Sequence, residues 1–157
     1  MELDTIYNED CLSGMAKLPS NSIDMILCDL PYGTTRNQWD SIIPFDRLWE
    51  QYERLIKDNG AIVLTAQPPF SKRDAIFKRL FEIGLPFAMI MNSNGLFDSK
   101  ARYELFKNNN FELLIPKGRM KFFDESMISR NNPNFQSVYV CNRILNHQIE
   151  FTDMQIE

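Results

Sequence analysis

With 157 residues, 44% of them hydrophobic and 24% charged, the chain has the size and composition of one soluble globular domain, 1–157, with a single core. Three widely spaced cysteines and a lone histidine argue against a disulfide framework and against a Cys/His metal site, and His147 receives no role. No run approaches the roughly 20 apolar residues that span a bilayer, and the acidic start MELDTIYNED lacks a signal-peptide core, so a cytoplasmic protein is expected.

The net charge of −4 is unevenly spread. Residues 1–70 hold 11 acidic against 5 basic side chains, a balance of −6, whereas residues 71–143 hold 12 basic against 7 acidic, a balance of +5. A polyanion is therefore expected to meet the middle segment, if any. An uneven distribution is also ordinary in small proteins, and both readings stand.

In chain order, residues 4–7 begin a strand, and Asp10 is placed to cap a short helix carrying Cys11, Leu12, Met15 and Ala16. A turn at 19–22 leads into the buried strand Ile23–Cys28. From Pro44, the spacing of Phe45, Leu48, Trp49, Tyr52, Leu55 and Ile56 makes one face of a helix, which Asn59-Gly60 is expected to stop. Ala61–Thr65 is a second apolar strand of the kind covered on both faces. Ser71 and Asp74 fit a capping box for a helix that turns Ile76, Phe77, Leu80 and Phe81 inward and ends at Gly84. Phe87–Met91 is a third strand and 99–108 a helix. Phe111–Ile115, Arg119–Phe123 and Phe135–Cys141 read as further strands. Alternation of strand and helix followed by extra strands points to an α/β fold, a three-layer Rossmann-like sheet with a β-rich C-terminal edge.

The segment Met25-Ile-Leu-Cys-Asp-Leu-Pro-Tyr-Gly33 joins a hydrophobic strand to an acid, a proline turn and an aromatic. Ligand sites of open α/β sheets lie just past the carboxyl ends of strands, where this motif falls. Its residue types suit work on an exocyclic amino group, whose nitrogen is a poor nucleophile because its lone pair is delocalised into the ring. Asp29 and the Leu30 carbonyl can accept the amino hydrogens and take up developing charge. Pro31 fixes the backbone that aims this carbonyl. Tyr32 can stack on a base turned out of the duplex. The same four residues also make an ordinary strand-to-loop turn.

The wider stretch Ile6-Tyr-Asn-Glu-Asp-Cys-Leu12, Ser22-Ile-Asp-Met-Ile-Leu-Cys-Asp-Leu-Pro-Tyr-Gly-Thr-Thr-Arg-Asn-Gln-Trp-Asp40 and Arg54-Leu-Ile-Lys-Asp-Asn-Gly-Ala-Ile-Val-Leu-Thr65 resembles the phage-type DNA N4-cytosine/N6-adenine methyltransferases over residues 5–70. The resemblance implies an S-adenosylmethionine-dependent enzyme on a methyltransferase-type sheet, here in truncated form. Asp29, Leu30, Pro31 and Tyr32 would be its catalytic amino-binding motif, and Asp10 and Asp29 would contact the cofactor. Trp39 and Asp40 would shape the loop beside the target base. Gln67-Pro68-Pro69-Phe70 looks like a second copy of that motif or a plain loop. With Gly84-Leu-Pro-Phe-Ala-Met-Ile-Met91 and Ile115-Pro-Lys-Gly-Arg-Met-Lys-Phe122, it resembles another group of phage adenine methyltransferases.

The glycine loop that the resemblance places late in the chain is missing: the glycines stand at 14, 33, 60, 84, 95 and 118, and no two form Gly-x-Gly. Lys117, Arg119 and Lys121 alternate with period two, as either a phosphate-contacting ridge or the wet side of an edge strand. Two functions follow as expectations. One is a DNA amino-methyltransferase, acting on adenine N6 before cytosine N4. The other is an inactive descendant in a bacterial host, working through protein contact as a partner subunit or as an inhibitor of a defence nuclease such as a restriction or CRISPR complex. DNA, a protein partner and a second copy of the chain are the expected partners.

Overall fold

Asp10 caps the first helix, α1 (Cys11–Met15), by accepting a hydrogen bond from the Ser13 N–H at 2.9 Å. These features come from a computed structural model that describes residues 2–31, 33, 36, 40–66, 70–120 and 135–153. The apolar run that follows forms β1 (Ile23–Asp29). Helix α2 (Phe45–Leu55) buries Leu48, Trp49, Tyr52 and Leu55, the face that the spacing foretells. Next come β2 (Ile56–Ala66), α3 (Phe70–Ile83), β3 (Phe87–Asn92), α4 (Lys100–Asn108, capped by Ser99), β4 (Glu112–Pro116), β5 (Ser137–Asn142) and β6 (Ile149–Thr152).

The six strands make one mixed sheet in the order β1-β2-β3-β5-β4-β6. β1, β2 and β3 run parallel, β5 is antiparallel to both of its neighbours, and β6 runs parallel to β4. The architecture is mixed α/β, consistent with a Rossmann-like sheet, and its C-terminal strands gather at one edge as expected. The layering differs from the three-layer expectation. Ile26 and Cys28 of β1, Ile62 and Leu64 of β2, Phe87 and Met89 of β3 and Val140 of β5 share a face by register. All of them join one cluster with side chains from the four helices. The opposite face, with Met25, Leu27, Val63, Ala88, Ile90 and Tyr139, contributes nothing to that cluster. Among the described residues the fold is thus two-layered.

Several boundaries fall elsewhere than the local patterns suggest. Residues 4–7 form no strand and, among the described residues, pair with none; Leu3 and Ile6 are exposed. α2 stops at Leu55 rather than at Asn59-Gly60. Ile56 is already extended and pairs with Ile23, and the next register pair is Met25 with Ala61, so residues 57–60 bulge from β2. Gly60 is the point of closest approach in that bulge. A Cβ there would lie 2.6 Å from the Ile56 side chain and 3.0 Å from the Asp24 carbonyl oxygen. Since the Asp24 oxygen is backbone, Gly60→Ala is expected to cost about 1–3 kcal/mol, the usual cost of overpacking, measurable by urea unfolding.

α3 begins at Phe70, so Ser71 lies inside the helix and is not its cap. Asp74 instead ties α3 to α4 by accepting from Arg102 Nε at 2.8 Å and from the Ser99 hydroxyl at 3.0 Å. Gly84 ends α3 with φ +72°, as expected. Residues 117–120 are irregular, with Gly118 at φ +73°, so no strand begins at Arg119, and the rest of that predicted strand lies outside the described residues. β6 lies beyond the strands that the sequence pattern predicts.

Candidate functional site

Asp29 is the last residue of β1, at the carboxyl end of the three parallel strands. Its register partner on β2 is Thr65, whose hydroxyl donates to Asp29 Oδ1. Parallel pairing therefore does more than build the sheet: it sets the carboxylate's orientation through a side chain on the neighbouring strand. The chain then turns through Leu30, which packs against the core, and Pro31. Farther on, the buried Asp40 accepts from the Gly33 N–H at 2.8 Å and so clasps residue 33 to residue 40. Gly33 itself has φ +65°, and a Cβ there would meet the Ile42 side chain at 2.8 Å, so glycine is needed on both counts.

A cavity of about 790 Å³ opens beside this turn, lined by residues along β1, by Asp29, Leu30 and Pro31, by Asp40, and by side chains of α1 and α2. Its walls are mostly apolar. Burial, and then the nearby Asp10 carboxylate, push the Cys11 thiol up from its ordinary value. Burial, and then the hydrogen bond with the Cys28 thiol, push the Tyr52 hydroxyl up as well. Both groups are therefore neutral near pH 7, and the acidic groups of the cavity are Asp29 and Asp40. Such a volume suits a small-molecule or single-base ligand.

Asp29, Leu30, Pro31 and Asp40 are thus brought together at one cavity. Asp10 is not part of its wall. The Ser13 N–H bonded to its carboxylate lowers its pKa, and the helix cap accounts for the residue. Tyr32, Trp39 and Lys121 lie outside the described residues, as do residues 67–69 of the Gln-Pro-Pro-Phe segment. The expected period-two ridge does not form between Lys117 and Arg119, because β4 ends at Pro116 and Gly118 turns the backbone. Lys117 pairs with Asp153 at 2.8 Å. It follows the carboxyl end of β4, on the same side of the sheet as Asp29 but four strand positions away, roughly 19 Å at a spacing of about 4.8 Å.

The sequence alone does not point to Thr65 or to the wall residues Cys11 and Tyr52 as part of a site. A threonine ending an apolar strand carries no signal until the register with β1 is known. Among the described residues no helix is long and apolar enough to cross a membrane.

No family model matches the chain. A segment of 38 residues is 47% identical to the Type II methyltransferase M.HindIII of Haemophilus influenzae, covering 24% of this chain and 12% of that protein. The matched segment thus spans about an eighth of that relative's length, and the chain carries a methyltransferase-like segment.

Proposed function

We propose that the chain binds the exocyclic amino group of a DNA base, adenine N6 before cytosine N4, at the carboxyl end of β1, as the amino site of a methyltransferase of the DNA amino type. The observation that carries this reading is the placement of Asp29, held by Thr65 on the adjoining strand, in the wall of a mostly apolar cavity of about 790 Å³. A carboxylate has about four lone-pair positions, so accepting from Thr65 and accepting an amino hydrogen are compatible in principle. The Leu30 carbonyl, fixed by Pro31, accepts the second hydrogen. Together they localise the nitrogen lone pair and offset the positive charge that grows on the nitrogen as it is alkylated. Tyr32 supplies the stacking surface.

S-adenosylmethionine is the donor this reading requires. The cavity suits its bulk, but none of the described residues lining it is a glycine, and no Gly-x-Gly exists in the sequence to let backbone close on the donor's methionine part. The described residues supply the acceptor half of the reaction, and donor binding without a glycine loop is expected to be weak, in the millimolar range.

The test is label transfer from S-adenosylmethionine, at millimolar concentration, to a duplex bearing one adenine and to the same duplex with purine, which lacks the amino group, in its place. Label in the adenine duplex alone is expected. Equal labelling of both, or labelling that ignores the base, defeats the reading.

A further inference from the structure

Two of the three cysteines face one cavity. Cys141 is buried in the sheet. Cys11, the exposed first residue of α1, and the half-buried Cys28, next to the end of β1, both line the cavity of about 790 Å³. Met15 lines it too, one turn after Cys11, since positions four apart share a helix face. Two thiols and a thioether, from elements distant in sequence, thus border one space. Cys28 lies on the helical side of the sheet, the side on which Met15 packs.

The thiols also sense each other. Burial pushes the Cys11 thiol up first, followed by Asp10 and then by Cys28, so the two sulfurs interact across the cavity. Tyr52 stands near both: its hydroxyl is hydrogen-bonded with the Cys28 thiol, and it interacts with Cys11 as well.

The donor set decides which kind of ion fits. Thiolate and thioether sulfur are soft donors, which select copper(I) over hard, oxygen-loving ions. Among the described residues no group of three His, Cys, Asp or Glu side chains is placed to hold a metal, so the two thiols lack further donors of the kind zinc takes. The third donor on the same wall is a thioether. Such a set differs from the Cys/His site that the sequence argues against, which needs histidine.

We infer that Cys11, Cys28 and Met15 bind one copper(I) ion in this cavity. The two thiols give up their protons to water and bind as thiolates, and Met15 supplies the third sulfur. None of these residues belongs to the amino-binding motif, so this inference and the proposed function fail separately.

The test uses the full, reduced chain, titrated without oxygen with copper(I) held by the chromophoric chelator bicinchoninate. One equivalent is expected to pass to the protein. Cys11→Ser and Cys28→Ser are each expected to weaken binding roughly 100-fold or more, Met15→Leu roughly tenfold, and Cys141→Ala not at all. Zinc(II) in excess should not displace the copper. Thermal melts show which variants fold. Independently of the variants, copper(I) is expected to protect both Cys11 and Cys28 of the wild-type chain from N-ethylmaleimide, read by peptide mass spectrometry. Undiminished binding in either folded serine variant, ready displacement by zinc(II), loss of binding in folded Cys141→Ala, or protection of fewer than both cysteines overturns the inference.

Discussion

Asp29→Ala is expected to lower methyl transfer by roughly 10²–10⁴-fold, the range typical of removing a positioned proton-accepting group, with little change in thermal stability. Asp29 is exposed at the end of β1, so the substitution removes little buried surface. The alanine variant keeps the cavity and its apolar walls, so DNA binding should change far less than turnover. Thr65 is a positioning residue here, because its hydroxyl acts through the Asp29 carboxylate. Thr65→Val removes the bond while keeping the shape, and is expected to lower kcat about tenfold with KM for DNA nearly unchanged. Thr65→Ser should restore most of the loss. A merely structural role for Thr65 would lower stability in the valine variant and leave kcat alone; combined thermal and steady-state measurements separate the two.

Asp74→Ala is expected to destabilise the fold by about 3–5 kcal/mol, because it strips the partner from a buried charge. Arg102 is 2% exposed, and its guanidinium is held by the Asp74 carboxylate at 2.8 Å and by the Gly95 carbonyl. Asp74 also accepts from Ser99, whose hydroxyl caps α4, so one carboxylate fixes the start of that helix and its packing on α3. Phe106 of α4 stacks edge-on against Phe77 of α3 at 5.1 Å, and loosening the helix pair disturbs this contact too. Urea denaturation of the wild type and variant gives the difference directly. The double variant Asp74→Ala/Arg102→Met, which buries no charge, should recover a large part of it. Equal loss in the single and double variants would show that packing, and not the uncompensated charge, sets the cost.

The continuous apolar runs of β1, β2 and β3 were legible because parallel strands need them, and each is bounded by a polar or turn residue that ends the run sharply. α2 was legible from one face of six apolar residues, but its end was not. Asn59-Gly60 is good helix-stopping chemistry, yet the glycine serves a bulge where β2 crosses close to Asp24, a tertiary demand that no local pattern carries. Ser71 and Asp74 have the spacing of a capping box, and the competing pull of the buried Arg102 decided what Asp74 does. β6 escaped because its apolar–polar alternation covers only the four residues Ile149–Thr152, too short a pattern to stand out. The candidate site divides in the same way. Asp29, Leu30 and Pro31 lie next to one another in sequence and needed only a strand before them. Thr65 reaches Asp29 across the register between β1 and β2, and Asp40 meets Gly33 across a loop. The one-sided helical layer was equally hidden, since apolar residues such as Met25 and Leu27 read as buried until the covering layer is counted.

The most direct test is to incubate the folded chain, at high concentration, with S-adenosylmethionine and adenine-containing duplex DNA, digest the DNA to nucleosides, and quantify N6-methyladenine by mass spectrometry. The account predicts N6-methyladenine that rises with protein concentration and is absent with Asp29→Ala. Its absence at every concentration of folded protein, or equal amounts from the wild type and Asp29→Ala, would contradict it.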